Sequence, residues 1–474
     1  MYYFDVHSKK IRGVFIMAKR QGNCNTPSQF FQPKDYQCII FTGFESGNIS
    51  PMCALIDYFV DHIDLSYFTE YKKSNEIIGG RPALDDRIIL KMFMYSLYCD
   101  IPIRQIQKHD NISSEFKYLS HGIHHYPGRS SFSRMLKLLD RHIEDVFDKH
   151  LAFIADIGIE IDTSTLFCDG TVFEANNSRH KIVTDKNIKR SNAKWSGVLG
   201  NEDSSADQKE LAAKKMQQNV VRASKLAELK RNSYGRTDED CVILQDKNKS
   251  FVAGYNVQFV TECRHGMIVY SYISNKNPDS EAFLDILDPV IDIYHPKYFV
   301  IDAGYGIPEI MKKLVKRDVV PITRSRKIEN SKSIINECSF ELSENEKSII
   351  CPTGRTLTER KHKNSVVEKR FKSDNCDGCE MKYKCCPKTK TKSILINIDE
   401  FKALKIASNA VSNVEGIEIY SHRGNKCESP NGFIKYNLKG KKLTMIGLPR
   451  NNTIIKVYAI LHNLRRAISI KNQV

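Results

Sequence analysis

The sequence predicts an α/β protein built on a mixed sheet flanked by helices, with a helical region before it and a small cysteine-rich insertion within it. Three observations predict this. Residues 51–159 carry apolar residues at spacings of three and four, the helical period. From Phe251 onward the period changes to strands and then to strand–helix alternation. Residues 326–395 break both patterns, being polar, lysine-rich and cysteine-rich.

Taken in order, residues 1–50 read as a loose N-terminal tail, with Met1 and Met17 both available as starts. In residues 51–159, "LDDRIILKMFMYSLY" places Ile88, Met92, Tyr95 and Ser96 on one stripe, with Leu90 and Phe93 beside it. "SSFSRMLKLLDRHIEDVFDKHLAFIADIG" continues the helical spacing, and short helices joined by "DIPIR" and "HYPGRSS" suggest a helical DNA-binding domain. Residues 160–325 begin the α/β domain. Within them, residues 181–236 hold 13 Lys/Arg against 6 Asp/Glu in strong helix formers, which predicts an exposed basic helical insertion. "FVAGYNVQFVTE" and "GMIVYSYIS" predict a strand pair turned near "CRHG". "DSEAFLDILDPVIDIY" predicts a helix capped by Asp279 or Ser280. "YFVIDAG", "IPEIMKKLVKRD" and "VVPIT" then predict strand, helix and strand. Residues 396–474 return to helix and end in "TIIKVYAILHNLRRAIS", which reads as amphipathic and basic.

The chain has 474 residues and a net charge of +16, from 72 Lys+Arg against 56 Asp+Glu. That excess favours a polyanion as partner. Its 41 % hydrophobic content supports real cores and excludes a wholly disordered chain. No apolar run approaches the roughly 20 residues needed to cross a bilayer, and no signal peptide is read, so no membrane partner is expected. Most of the 14 cysteines are scattered, which fits reduced thiols and a cytoplasmic location.

Two acids stand out. Asp169 follows the apolar run Leu166–Cys168, and Asp302 follows Tyr298–Ile301. A carboxylate at the end of a buried strand is costly unless something uses it. Phosphodiester chemistry with two divalent cations needs such hard oxygen ligands, set to hold the ions roughly 4 Å apart. A third acid is expected further on. Glu428 in "YSHRGNKCESPNGFIKYN" fits, because Lys435 seven residues later would share its helical face; Glu368 in "SVVEKRFK" is the rival. Pro430, Asn431 and Gly432 are poor interior helix residues and weaken that geometry. Asn256 and Gln258 are expected either near the site or at a sheet edge.

The cysteines of "CPTG" and "CDGCEMKYKCC" form the one cluster. Cys351, Cys376, Cys379 and Cys385 are the expected ligands of a structural Zn²⁺, which would hold a segment with little core in shape. Lys388, Lys390 and Lys392 beside it suit a DNA contact.

The ordered set of motifs resembles the DDE transposases of bacterial insertion sequences, in the subgroup with a cysteine-containing insertion in the catalytic domain. The resemblance runs from about Gly80 to Arg466. "GRPALDDRIILKMFMYSLYCDIPIRQIQ" is similar to that family's N-terminal segment, "CDGTVFEANNSRHKIV" to its first-Asp motif and "VAGYNVQ" to the strand that follows. "IDAGYG" resembles its second-Asp motif, "YSHRGNKCESPNGFIKYN" its third-acid motif and "HNLRRA" its final helix. After the Glu the family usually has an aromatic residue and a glycine, which "SPNGF" reorders.

The resemblance implies an RNase H-like catalytic domain with Asp169, Asp302 and Glu428 as a catalytic triad holding Mg²⁺ or Mn²⁺. It implies that Tyr420, Arg423 and Lys435 contact DNA. The implied partners are double-stranded DNA, both transposon ends and target, and a second copy of the chain in a synaptic complex. The implied location is the cytoplasm, associated with the nucleoid. The implied activity is metal-dependent strand cleavage at element ends and strand transfer. The alternative is a non-catalytic DNA-binding protein derived from such an enzyme.

Overall fold

The computed structural model describes residues 49–68, 84–109, 113–120, 127–246, 248–324, 339–360 and 367–472. The predicted tail lies almost wholly outside the described residues, as do residues 325–338, where the predicted insertion begins. The N-terminal helices are α1 (Pro51–His62), α2 (Asp86–Tyr98), α3 (Ile103–His109), α4 (Ser114–Leu119) and the long α5 (Arg129–Asp156). Local chemistry sets their starts. Ser50 Oγ accepts from the Cys53 amide, with Pro51 at the first helical position, and Asp85 accepts from the Arg87 amide. The predicted stripe of α2 is buried, but burial continues round the helix to Lys91. Its ammonium reaches Asp57 at 2.9 Å and Asp61 at 2.6 Å, both on α1.

The central sheet has six strands: β1 (Thr165–Glu174), β4 (Val242–Gln245), β5 (Phe251–Glu262), β6 (Ile268–Ser274), β7 (Tyr298–Ile301) and β8 (Val320–Ile322). Its order is β4–β5–β1–β7–β8, and β6 also pairs with β5. β5 runs antiparallel to β1, β4 and β6, whereas β1, β7 and β8 are parallel. Alternate residues feed two layers, as the strand period requires. One face packs α8 (Asp279–Tyr294), α9 (Pro308–Lys316) and α11 (Ile398–Ser412) against Leu166, Cys168, Phe299 and Ile301. The other packs Phe173, Tyr255, Val257 and Phe259 into one core with α1, α2, α5 and the C-terminal α13 (Leu448–Lys471).

α13 departs from the amphipathic expectation. Residues 453–464 are buried without interruption, including Lys456, His462 and Asn463. The helix lies between α5 and β6, so its polar side chains need internal partners. Lys456 donates to Ser271 O and pairs with Glu144. The Asn463 amide bonds both backbone groups of Ile268 and reaches His150 Nε2 on α5 at 2.8 Å.

The basic segment forms two helices, α6 (Asp185–Gly200) and α7 (Ala206–Leu229), tied at their base by the ribbon β2 (Ile182–Thr184) and β3 (Ser233–Gly235). Buried Asn219 on α7 donates to Ser191 and Asn192 on α6, and a capping box at Ser205 starts α7.

The cysteine-rich region differs most from expectation. It is a five-stranded antiparallel meander, β9 (Glu341–Leu342), β10 (Ser348–Ile350), β11 (Thr356–Arg360), β12 (Glu368–Ser373) and β13 (Ser393–Asn397), with a short α10 (Lys382–Cys385). It has its own core of Phe340, Ile349, Leu357, Phe371, Ile394, Ile396, Ile398 and Phe401. The alternating apolar residues are sparse enough to read as polar loop, which hid them. Phe371 is fully buried at the centre. Phe371→Ala should therefore cost about 3–5 kcal/mol, read as a lower urea midpoint for the transition that reports this region.

Candidate active site

The helical path after α11 builds one wall of the site. α12 (Val414–Ser421) leads into a π turn at Gly424–Glu428, an α-helical turn at Ser429–Gly432 and a second π turn at Phe433–Asn437. Pro430 cannot donate within this helix. Thr261 Oγ1 supplies a donor to Lys426 O, the carbonyl four residues before it, at 3.2 Å.

β1 and β7 build the opposite wall. Cys168 pairs with Ile301 in the parallel register, so the next step sets Asp169 beside Asp302. The first acid is not at a strand end as its sequence suggested. It lies mid-strand in β1, and Asp302 directly follows β7. Both project to the face away from Cys168 and Ile301, which enter the α8–α9 core. The Asp169 side chain is 13 % exposed and that of Asp302 48 %. Asp302 occupies the cap position of the turn Ala303–Tyr305, yet its side chain makes no cap bond.

Arg423 joins the two acids. Its Nη2 lies 3.7 Å from Asp169 Oδ1 and 3.5 Å from Asp302 Oδ2, and the two carboxylates hold the guanidinium pKa above its ordinary value against the effect of burial. Asn431 Nδ2 donates to Asp169 Oδ2 at 2.9 Å. Lys435 donates to Thr171 Oγ1, two residues further along the same face of β1, and lies over the Phe173 ring. Tyr420 stands at the mouth, with the Arg324 guanidinium 4.8 Å from its ring centre.

Glu428 does not complete a group of three with the pair: among the described residues no three His, Cys, Asp or Glu are grouped to hold a metal ion. Glu428 ends the first π turn and is exposed. The predicted shared face with Lys435 does not form, because the face turned to β1 is Arg423, Cys427, Asn431 and Lys435. Glu428 is still near: burial pushes the Cys427 thiol up, and the charges of Asp169, Glu428 and Asp302 act in the same direction against Arg423. The rival Glu368 lies on β12 of the meander, in a different sheet.

Asn256 and Gln258 lie behind β1 and not at an edge. Asp279 Oδ1 accepts from Asn256 Nδ2 at 2.8 Å and from Gln258 Nε2 at 3.3 Å. Asp279 is thus the first residue of α8 and not its cap. Tyr305 Oη donates to Gln258 Oε1 at 2.7 Å, fastening the turn after Asp302 to β5. Gly170 makes this possible: a Cβ there would sit 2.5 Å from Asp279 Oδ1 and from Gln258 Nε2.

Cys351, Cys376, Cys379, Cys385 and Cys386 line a small cavity in the meander. Even so, among the described residues no three His, Cys, Asp or Glu are grouped to hold a metal ion, so the zinc expectation is not supported. The thiols have other neighbours. Thr353 Oγ1 lies 3.1 Å from Cys351 Sγ and 3.5 Å from Cys379 Sγ, and Ser373 Oγ lies 3.0 Å from Cys376 Sγ. The apolar core holds this region's shape.

With this geometry in place, comparison with known families finds a match over part of the chain. Residues 350–468 match the family model of the transposase DDE domain. No curated protein matches the chain. The transposase match contains Tyr420, Arg423, Glu428, Asn431 and Lys435 and begins downstream of Asp169 and Asp302. Among the described residues, no helix is long and apolar enough to cross a membrane. Sequence reasoning missed Asn431, Thr171 and Arg324. The "SPNG" run that signalled a weak helix contained Asn431, and an Arg after the apolar "VVPIT" was the only sign of Arg324.

Proposed function

We propose that this chain is a DDE transposase of the bacterial insertion-sequence type, cutting DNA at the ends of its element and joining them to a target. The observation that carries the reading is that Asp169 and Asp302, each one residue beyond the paired Cys168 and Ile301, both approach Arg423 Nη2, at 3.7 and 3.5 Å. The mixed sheet supports an RNase H-like domain: an antiparallel β6–β5–β1 set continues through parallel β7 and β8. The transposase match supports the same reading from the other end of the chain.

The acid pair suits Mg²⁺ or Mn²⁺ in its donor chemistry. Magnesium is commonly held by one or two carboxylates together with water and substrate phosphate, so a third protein carboxylate is not required for binding. A divalent ion there would supply an activated oxygen nucleophile and neutralise charge on the leaving oxygen. Asp169 and Asp302 would hold it, and Glu428 would join as the third acid by a local movement of the π turn. Arg423, already within reach of both acids, would turn to the phosphate once a cation took over their charge. Tyr420 and Lys435 would flank the strand, on a protein whose net charge of +16 favours DNA.

The exposed position of Glu428 favours one second reading, a DNA-binding protein that has lost cleavage. Incubation with Mg²⁺ and DNA carrying the inverted repeats that flank the reading frame separates the two. Nicking at the repeat ends, followed by joining to a second duplex, is the expected result. Binding of the repeats with no cut under Mg²⁺ or Mn²⁺ would establish the second reading.

A further inference from the structure

The segment from Arg423 to Lys435 presents every fourth residue to β1: Arg423 to Asp169, Cys427 to the core at Phe167, Asn431 to Asp169 and Lys435 to Thr171. An ordinary α-helix has 3.6 residues per turn, so a four-residue repeat drifts steadily off the facing surface. The two π turns are wider and return the stripe towards the strand. They thereby carry Asn431, which is 4 % exposed, to a carboxylate 262 residues away in sequence.

The two oxygens of Asp169 have different neighbours. Oδ2 accepts from the Asn431 amide, whereas Oδ1 is turned to the space it shares with Asp302 Oδ2 around Arg423 Nη2. Two buried atoms at this place, Asn431 Oδ1 and Arg423 Nε, have no hydrogen-bond partner among the described residues. Such atoms are uncommon in a buried setting and mark a place that accommodates something further.

We infer that Asn431 is a positioning residue for the cation site: it holds Oδ2 of Asp169 so that Oδ1 is the oxygen presented towards Asp302. The inference rests on the reading of Asp169 and Asp302 as cation ligands. Hydrogen-bond partners of metal-bound carboxylates fix the direction of the lone pairs, and their loss typically weakens metal binding by about 10–100-fold.

The test is a Mn²⁺ titration of the full chain, followed by the electron paramagnetic resonance of free Mn²⁺, with no DNA present. Asn431→Ala removes the donor. Asn431→Leu removes it while keeping the volume, which provides a folded variant if the alanine leaves a damaging cavity. Both should weaken Mn²⁺ binding by about 10–100-fold with an unchanged far-ultraviolet circular dichroism spectrum. Mn²⁺ affinity within about threefold of wild type in a folded variant, with binding lost in Asp302→Ala, would overturn the inference and keep the cation site. If Asp302→Ala binds Mn²⁺ as wild type does, the acid pair is not the site, and the inference falls with that reading.

Discussion

Asp302→Ala should abolish metal-dependent cleavage of repeat-bearing DNA, by about a thousandfold or more, because each cation-stabilised oxygen is worth several kcal/mol in the transition state. Affinity for the same DNA should stay level or rise slightly, since a carboxylate next to a phosphate repels it. Gel-shift and nicking assays on one preparation measure both quantities. Asp169→Ala should lose cleavage equally but is the less clean variant. It strands the buried Asn431 amide without its acceptor, which costs about 1–3 kcal/mol of stability. Asp302 is half exposed and makes no cap bond, and Arg423 keeps Asp169 when it is removed, so its loss disturbs the fold less. A cleaving Asp302→Ala variant would sink the assignment of these acids.

Lys91→Met should be among the most destabilising single changes in the helical layer. The Lys91 side chain is 1 % exposed and is paired with Asp57, itself 2 % exposed, and with Asp61 at 24 %. Removing the cation takes from the buried Asp57 carboxylate its Lys91 partner, a loss of about 3–5 kcal/mol. Adding Asp57→Leu to the first change should recover much of it, because breaking a buried pair costs more than replacing it whole. The pH dependence gives an independent check. In Lys91→Met the loss of the neighbouring cation favours the neutral form of the buried Asp57, so its folded pKa would lie above that in the wild type. The folded state then binds more protons, and the variant's deficit should shrink as pH falls through that folded pKa. Urea unfolding across the acid range measures it, and a deficit that grows towards acid would contradict the account.

The parts of the fold that the sequence made legible are those governed by local period. The strand pair around "CRHG", the strand ending in Ile301 and the helix "IPEIMKKLVKRD" all lie where alternation or helical spacing placed them. What could not be read depends on distant neighbours. Lys91 looks like a surface residue of an amphipathic helix until α1 brings two aspartates over it. The last helix looks amphipathic until α5 and β6 cover both its sides. The site divides in the same way. Asp169 and Asp302 announce themselves through the apolar runs before them. Asn431 does not, because its role requires π turns, and nothing in "SPNG" other than poor helix formers hints that the helix widens there.

The cross-links made by Asn463 bear on how the molecule is made. Asn463 bonds Ile268 on β6 and His150 on α5, the latter 313 residues earlier in the chain. At typical synthesis rates of about 5–20 residues per second, roughly 15–60 s pass between the ribosome's delivery of the first partner and the last. From the synthesis of β6 onward, about 10–40 s of that interval, the apolar face of β1, β5 and β6 has no final helix to cover it, and Ile268 lacks its side-chain partner. Nascent chains will therefore expose a sticky, incomplete sheet that invites chaperones and proteases. Any product truncated before Asn463 is expected to be cleared rather than to persist as a free fragment.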